Sequence, residues 1–299
     1  GVTGALRDFC VASGIPASKI DTFEEADSQV ESTEGGNPNL EEEESDTITL
    51  GFVWTPSDFL EGLSLTVDYY DIDIDGAIDV AGGGANNLIA LCYASLDQSN
   101  PACQSITRDA NGDISNVSAL NDNISNFKTE GVDMQIQYNW EMDMLSWGSD
   151  AAMLQLALIG NHTMESSFVP APGSPQRDCE GRFGSPCGQT VVGTALPENS
   201  WNSSITYFSG PLSVRLGWVW LDEVTDTRID DGTPSNQLPE PELDSISYWD
   251  LSGRFQFTEN IDFSLGVENL FDEDPPKYGD QSVQSNTDPS TYDVLGRRY

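Results

Sequence analysis

The chain has 299 residues, of which 50 are acidic and only 12 are basic, so its formal net charge at pH 7 is -38. Such a surface repels nucleic acid, because nucleic-acid binding depends on Lys and Arg side chains that neutralise phosphates. The sequence contains no apolar run of the length that a membrane-spanning helix needs. These properties exclude a nucleic-acid partner and predict no transmembrane helix.

Nine segments show the period-two alternation of β-strands, in which every second side chain points to the same face. They cover residues 46–55, 62–74, 129–140, 151–163, 200–208, 211–221, 246–257, 260–271 and, more weakly, 292–299. The segment 129–140 alternates most clearly, with apolar residues at even positions and with Asp133, Gln135 and Gln137 on the opposite face. The sequence therefore predicts an all-β protein.

The end of the second strand contains DIDIDG, which matches the start of an EF-hand calcium loop at Asp71, Asp73, Asp75 and Gly76. The motif requires a Glu at its twelfth position, where this chain has Gly82. The preceding residues LSLTVDYY alternate as a strand, whereas an EF-hand needs helices on both sides. We interpret DIDIDG as a strand end that runs into a loop.

Short and long connections alternate along the chain. The short ones are PSDFLEG, residues 141–150, SGP and TEN, and the long ones are residues 75–123, 164–199, 222–245 and 272–291. In a meander of antiparallel strands, alternate connections lie at the same end of the sheet. All long loops would therefore share one end, which is typical of an outer-membrane barrel with short periplasmic turns and long extracellular loops.

Aromatic residues near both ends of the strands support the barrel, because membrane barrels carry aromatic girdles at both interfaces. The predicted girdles contain Trp54, Trp140, Tyr207 and Phe257 near the short turns, and Tyr69, Trp201, Trp220, Tyr248 and Phe271 near the long loops. Between them, strand 211–221 has apolar outward residues such as Leu212 and Val214, with Ser213 and Arg215 facing inward. A polar interior and an apolar exterior are the reverse of a soluble barrel.

All five cysteines lie in the long connections. We predict that Cys92 pairs with Cys103 and Cys179 with Cys187, so that each disulfide closes one loop, which suits an oxidising compartment. Cys10 is left over, and we expect its partner to lie elsewhere. These spacings do not fit a zinc site, and the chain has a single histidine.

Four motifs resemble those of TonB-dependent outer-membrane receptors, and they occur in family order over residues 35–299. The stretch GGNPNLEEEESDTITLGFVWTP, 35–56, resembles the sequence that leads into a barrel strand, and LTVDYYDIDIDGAI resembles the next strand. GVENLFDEDPPKYG, 266–279, resembles the N-L-F-D signature, and YDVLGRRY resembles the start of the last strand.

This resemblance implies a domain organisation. Family members combine an N-terminal plug domain, an energy-coupling box and a 22-stranded barrel, which belongs to the plugged size class. The resemblance assigns residues 1–45 to an extracellular loop segment and residues 46–299 to the C-terminal part of the barrel. We therefore expect a partial antiparallel transmembrane β-barrel of about nine strands, without the plug domain.

The resemblance also implies a function: energy-coupled uptake of a scarce ligand, such as a metal chelate, cobalamin or an oligosaccharide. The expected location is the outer membrane of a Gram-negative bacterium, in contact with lipid and lipopolysaccharide. The expected partner is the inner-membrane TonB complex, which acts through the plug, and no cofactor is expected. The candidates for plug contact are the inward-facing Asp133, Gln135, Gln137, Arg215 and Arg254, which could equally be plain water-facing side chains of a polar lumen.

The sequence also bears on two other functional classes. The sequence contains no G-x-S-x-G, no H-E-x-x-H and no Gly-rich phosphate loop, so an enzyme is not predicted. A secreted or surface-exposed acidic all-β adhesin remains the alternative, because an acidic exterior most often serves solubility.

Overall fold

The computed structural model describes residues 4–24, 29–123, 126–143, 151–169, 175–184, 187, 194–279 and 286–299. The strands in this part are β1 (Ser32–Gly35), β2 (Glu44–Trp54), β3 (Leu63–Asp75), β4 (Ile78–Val80), β5 (Ile106–Arg108), β6 (Ile114–Asn123), β7 (Asn126–Met142), β8 (Ala152–Phe168), β9 (Arg177–Asp178), β10 (Arg182–Phe183), β11 (Asn199–Ser209), β12 (Leu212–Leu221), β13 (Val224–Asp226), β14 (Glu242–Leu243), β15 (Ile246–Thr258) and β16 (Ile261–Val267). The α-helices are α1 (Ala5–Ala12), α2 (Ala85–Ser95) and α3 (Pro101–Gln104), and short 3-10 helices cover Ala81–Gly83, Thr227–Ile229 and Ser235–Gln237.

One large sheet contains the long strands in the order β2-β3-β7-β8-β11-β12-β15-β16, with the short β9 added beside β8. Every neighbouring pair of long strands is antiparallel. The first eight segments predicted from the sequence are therefore consecutive antiparallel neighbours, which confirms the meander.

The ninth predicted strand, 292–299, is wrong. In this segment a single antiparallel bridge joins Arg298 to Glu268. The backbone N–H of Leu295 donates to the Asp293 carboxylate at 3.0 Å, and Gly296 adopts a φ of +66°. This Asp turn and the left-handed glycine interrupt the extended backbone that a strand requires.

Short connections follow β2, β7, β11 and β15, whereas long ones follow β3, β8 and β12. Because successive strands are antiparallel, the two kinds of connection lie at opposite ends, here named the short-turn end and the long-loop end. At the short-turn end, Gly62 has a φ of +87°, and a Cβ there would lie 2.3 Å from the backbone oxygen of Asn139. This position in the first short connection therefore requires glycine.

The motif DIDIDG lies at the long-loop end of β3, as interpreted. The strand continues to Asp75, and Gly76 turns the chain with a φ of +64°. The Asn126 amide on β7 donates to Asp73 at 2.6 Å and to Asp75 at 3.3 Å. These carboxylates therefore join two strand ends.

The connection between β3 and β7 folds with the beginning of the chain into a first loop unit, consisting of the described residues within 4–35 and residues 76–123. Helix α1 buries Phe9 and Cys10, and Phe9 packs in a core that also contains Leu88, Cys92 and Val117. Strand β1 pairs in parallel with β6, which also binds β4 and β5. The sequence predicts loops for both stretches, whereas the structure forms helices and short strands there.

The other three long connections form a second loop unit, consisting of the described residues of 169–198, 222–245 and 268–299. Its small sheet has the order β10-β13-β14. Its core joins Phe183, Val224 and Leu243 to Tyr278 and Tyr292. The loops at the long-loop end of β8, β12 and β16 thus share one hydrophobic core.

Candidate functional site

The two faces of the large sheet differ in chemistry, because residues that pair across strands share a face. One face, here called the polar face, carries mostly hydrophilic side chains: Thr49, Ser64, Thr66, Asp68, Tyr70, Asp133, Gln135, Gln137, Asn139, Gln155, Asn161, Asn202, Ser204, Thr206, Ser213, Arg215, Asp250, Ser252, Arg254 and Ser264. The opposite, apolar face carries Ile48, Leu50, Phe52, Leu65, Val67, Val132, Met134, Ile136, Leu154, Leu156, Leu158, Ile205, Leu212, Val214, Leu216, Trp218, Leu251, Phe255, Phe263 and Leu265.

All five sequence-predicted candidates lie on the polar face. Asp133, Gln135 and Gln137 occupy consecutive polar-face positions of β7, opposite Asp68, Thr66 and Ser64 of β3, respectively. Arg215 on β12 and Arg254 on β15 lie together at another part of the same face. The structure therefore separates the candidates into an acidic and amide group on β7 and a basic group on β12 and β15.

A hydrogen-bonded cluster on the polar face consists of four side chains, those of Asp133, Asn161, Tyr70 and Thr163. The Asn161 amide donates to the Asp133 carboxylate at 2.8 Å and to the Tyr70 hydroxyl at 3.1 Å. The Thr163 hydroxyl donates to Asn161 at 2.9 Å. Asp68 is the direct cross-strand neighbour of Asp133, and two carboxylates in this position repel each other. The cluster is thus a negatively charged patch that favours a cationic partner.

Glycine makes room for the tyrosine in this patch. A Cβ at Gly131 would lie 2.4 Å from the Tyr70 hydroxyl oxygen, so only glycine lets the ring lie across β7. Sequence reasoning missed Asp68, Tyr70 and Asn161. Their position on the same face as Asp133 depends on strand register, which the alternation within each strand does not reveal.

The basic group borders a cavity of about 300 Å³. Its walls include Ser213, Arg215, Ser252, Arg254 and Ser264. The cavity lies toward the short-turn end, since β12 begins at Leu212 and β15 ends at Thr258.

The second loop unit packs on the long-loop end of the polar face. Val219 and Leu221 of β12 and Ile246 and Tyr248 of β15 belong to or contact the hydrophobic core of this unit. The sequence prediction that Tyr248 belongs to an outward aromatic girdle is therefore wrong. Tyr248 pairs with Val219 and lies on the same face as Arg254, where the core of the second loop unit covers it.

Other members of the predicted aromatic girdles do lie on the apolar face. Trp54 and Trp140 are close to the short-turn end, whereas Trp201 and Trp220 pair with each other close to the long-loop end. The apolar face thus carries indole rings at both of its borders. This is the distribution of aromatic residues at the two interfaces of a membrane.

Asp288 anchors the second loop unit. Its buried carboxylate accepts hydrogen bonds from the Ala195 backbone N–H at 3.2 Å, the Ser290 hydroxyl at 2.5 Å and the Thr291 hydroxyl at 2.6 Å. Burial opposes ionisation of Asp288, but these hydrogen bonds outweigh it and lower the pKa of the carboxyl group. The Asp288 carboxylate thereby links the long segment after β16 to the long connection that precedes β11.

Burial acts in the opposite direction on the tyrosines of the same core. It raises the pKa of Tyr292 to about 12, and it also raises the pKa of Tyr278, because a phenolate would lose its hydration there. Between the loops, the Arg182 guanidinium donates to Asp230 at 2.7 Å. Apolar packing and an ion pair thus fix the second unit together.

Two disulfide bonds lie in the loop units. Cys92 is bonded to Cys103 in the first unit, and Cys179 is bonded to Cys187 in the second. Cys10 is buried in the first unit with a free thiol.

Two further observations concern the described residues. No three His, Cys, Asp or Glu side chains among them come together in a way that could hold a metal ion. None of their helices is both long and apolar enough to cross a membrane.

The TonB-dependent receptor-like β-barrel family has a sequence model that matches residues 14–270. The chain belongs to the TonB-dependent receptor family. This confirms the resemblance and the fold class, a partial antiparallel barrel. Proteins of this family are transporters of the Gram-negative outer membrane.

Solved structures of TonB-dependent receptors show the same fold. The ferric enterobactin receptor from Pseudomonas aeruginosa in complex with enterobactin is 17% identical, over 88% of this chain and 31% of its own, with a TM-score of 0.52. The apoprotein of the FrpB iron transporter from Neisseria meningitidis is 13% identical, over 88% of this chain and 31% of its own, with a TM-score of 0.51. This chain thus spans under a third of their length. No protein among the curated sequences matches it.

Proposed function

We propose that this chain is the barrel wall of an outer-membrane receptor that takes up a scarce ligand. The observation that carries this proposal is the opposite chemistry of the two sheet faces. A soluble β-protein buries an apolar face, whereas here Ile48, Leu50 and Phe52 are 65%, 72% and 59% exposed. Lipid is the medium that such a face requires, and water or another protein suits the polar face.

In this proposal, the long-loop end is extracellular and the short-turn end is periplasmic. Residues 46–299 form the C-terminal part of the barrel, and residues 1–45 belong to an extracellular loop segment. The apolar face contacts lipid, and the strand ends next to it contact lipopolysaccharide. The two disulfides support the extracellular placement of the loop units, because disulfides persist in oxidising surroundings.

The polar face would contact a plug domain inside the barrel. Asp133, Gln135 and Gln137 offer carboxylate and amide groups on one side, and Arg215 and Arg254 offer guanidinium groups on the other. A plug with complementary charges would satisfy both groups and transmit force from the TonB complex. The repulsion between Asp68 and Asp133 supports this role, because a cation from the plug would relieve it.

The ligand class is open to three alternatives, namely a metal chelate, cobalamin or an oligosaccharide. The ferric enterobactin receptor and the iron transporter found among similar structures make a metal chelate the first to test. The loop units would capture the ligand at the cell surface, and no covalent chemistry is required.

The experiment is an uptake assay in Gram-negative cells that express the receptor containing this chain. We expect uptake of a labelled ferric chelate, of cobalamin or of a maltodextrin. Uptake should stop when a protonophore removes the membrane energy or when the TonB protein is deleted. A receptor carrying Asp133→Asn should be surface-exposed yet transport more slowly, whereas Glu61→Gln in the first short turn serves as a matched control for charge removal.

Binding to cells or surfaces that does not depend on energy, with no uptake of any of the three ligands, would contradict the proposal. That result would favour the acidic adhesin instead.

A further inference from the structure

The two arginines of the polar face are diagonal neighbours. Arg254 lies opposite Ser213, and Arg215 lies two residues further along β12, opposite Ser252. Diagonal neighbours of this kind are about 7–8 Å apart, within reach of long side chains. Among the described residues of the eight long strands, the remaining Lys or Arg is Lys128, which pairs with Glu165. The cations of the polar face therefore meet at one place.

Small residues beside the arginines create the cavity of about 300 Å³. Ser264 lies opposite Arg254 on the β16 side, and Gly266 lies opposite Ser252. A large side chain at any of these positions would fill the space between the guanidinium groups. Instead, the walls present serine hydroxyls, which can donate hydrogen bonds to an anion.

The charges already present leave the site open to an anion. Arg254 donates to Asp262 at 2.9 Å, but these side chains are 59% and 44% exposed, and an exposed ion pair is weak enough to exchange. Arg215 has no ion pair among the described residues. Asp250 lies near it, since a Cβ at Gly217 would be 3.5 Å from Nη1 of Arg215 and 3.7 Å from Oδ2 of Asp250. The other oxygen of this carboxylate, Oδ1, accepts a hydrogen bond from the Asn269 backbone N–H at 2.9 Å.

We propose that this arginine–serine cavity binds a carboxylate group of a solute that moves along the polar face. Guanidinium groups bind carboxylates through two parallel hydrogen bonds, and two of them can hold neighbouring carboxylates of one molecule. This inference rests on the proposed function, because it requires the polar face to border a passage. For Arg215 and Arg254 it takes the alternative of side chains that face the water-filled lumen, in place of contact with the plug. It adds to that function a chemical class of ligand, a carboxylate, and a binding position near the short-turn end of the polar face.

Citrate, which carries several carboxylates, is a suitable probe. It is titrated into the receptor, folded in detergent micelles, and binding is followed by calorimetry. We expect saturable binding at millimolar citrate that weakens as salt is added. Arg215→Gln and Arg254→Gln should each weaken it about tenfold, since each removes a charge-assisted hydrogen-bond donor.

Two variants separate the site from general charge effects. Lys128→Gln removes a cation from elsewhere in the sheet and should leave citrate binding unchanged. Arg215→Lys keeps the charge but loses the two-pronged geometry, so it should bind citrate with intermediate strength. Circular dichroism of each variant checks that the barrel has folded.

A receptor that shows no saturable citrate binding would overturn the proposal, as would equal weakening by Lys128→Gln and Arg215→Gln. The same titration on a receptor with its plug removed identifies the source of the carboxylate. Binding both with and without the plug indicates a free solute, whereas binding that appears only after plug removal indicates that a plug side chain occupies the cavity and overturns the solute assignment. Because this assay measures binding alone, it is independent of the uptake assay.

Discussion

Gly160 and Trp201 form a close pair on the apolar face, at neighbouring positions of β8 and β11. A Cβ at Gly160 would lie 2.1 Å from Cε3 of the indole ring, so the ring lies directly over the glycine. We predict that Gly160→Ala displaces Trp201 and destabilises the sheet by about 1–3 kcal/mol, the usual cost of overpacking. Urea unfolding in detergent micelles, followed by tryptophan fluorescence, measures this change.

The matched control is Gly253→Ala, also on the apolar face. A Cβ there meets nothing closer than the Ser213 backbone oxygen at 3.8 Å. This variant should be neutral, and equal destabilisation by both substitutions would show that the steric contact with Trp201 is not the cause.

Tyr292 makes the stability of the second loop unit depend on pH. Burial raises its pKa to about 12, whereas a tyrosine in the unfolded chain ionises near its ordinary value of 10.0. Between these values the unfolded state loses the proton and the folded state keeps it, so stability is complete below about pH 10 and falls as the pH rises toward about 12. We predict that Tyr292→Phe loses less stability than the wild type between about pH 8 and about pH 11.

Thermal unfolding by near-ultraviolet circular dichroism at both pH values tests this prediction. Tyr299→Phe is the control, because Tyr299 is 88% exposed. An equal loss in the wild type and in Tyr292→Phe would contradict the role of the buried phenol.

At this scale, alternation in the sequence placed Asp133 and Arg215 on one face correctly, but the assignment of Tyr248 to an aromatic girdle, which was made from its position near a strand end, is wrong. Alternation fixes the relative orientation of residues within a strand. It does not reveal that three distant loops fold over the long-loop end of β12 and β15, where they cover Tyr248. That contact joins residues far apart in the chain, and no local pattern encodes it.

The strands themselves were the predictable elements. Eight were recognised from alternation, and β12 shows why: its apolar residues Leu212, Val214, Leu216 and Trp218 recur at every second position. The loop elements were not recognised. Helix α3 has only four residues and begins at Pro101, and β1 pairs in parallel with β6, a contact between residues 85 positions apart, such as Ser32 and Val117. Short elements of this kind form because of their tertiary contacts rather than their own sequence.

Disulfides hold these loop elements together. We predict that mass spectrometry of a non-reduced digest finds Cys92 linked to Cys103 and Cys179 linked to Cys187, with Cys10 as a free thiol after denaturation. In the loop-entropy model, closing loops of this length contributes about 3 kcal/mol each. Reduction should therefore increase hydrogen exchange in the loop units while the long strands keep their protection.

A digest in which Cys10 is bridged to another cysteine of this chain would contradict the pairing. If reduction of the disulfides increased hydrogen exchange in the long strands as much as in the loop units, the sheet would not be stable independently of those units.

At the scale of the whole molecule, the large sheet has two open edges within the described part of the chain, because its order begins at β2 and ends at β16. An unpaired backbone group costs several kcal/mol in hydrocarbon, and in water an open strand edge pairs with other chains. Both edge strands also expose apolar side chains: Leu50 of β2 is 72% exposed and Leu265 of β16 is 58% exposed. Open edges and bare apolar surface thus occur in the same strands.

We predict that the 299-residue chain, expressed by itself, aggregates in water or requires detergent, and that it transports nothing. An open sheet encloses no passage, and its apolar face has no lipid to cover it. Size-exclusion chromatography with light scattering, in buffers with and without detergent, measures the state of the chain, and liposome flux measures transport. A soluble monomer that unfolds sharply without detergent would contradict both this prediction and the membrane-facing role of Leu50 and Leu265, because a face that is stable in water needs no lipid.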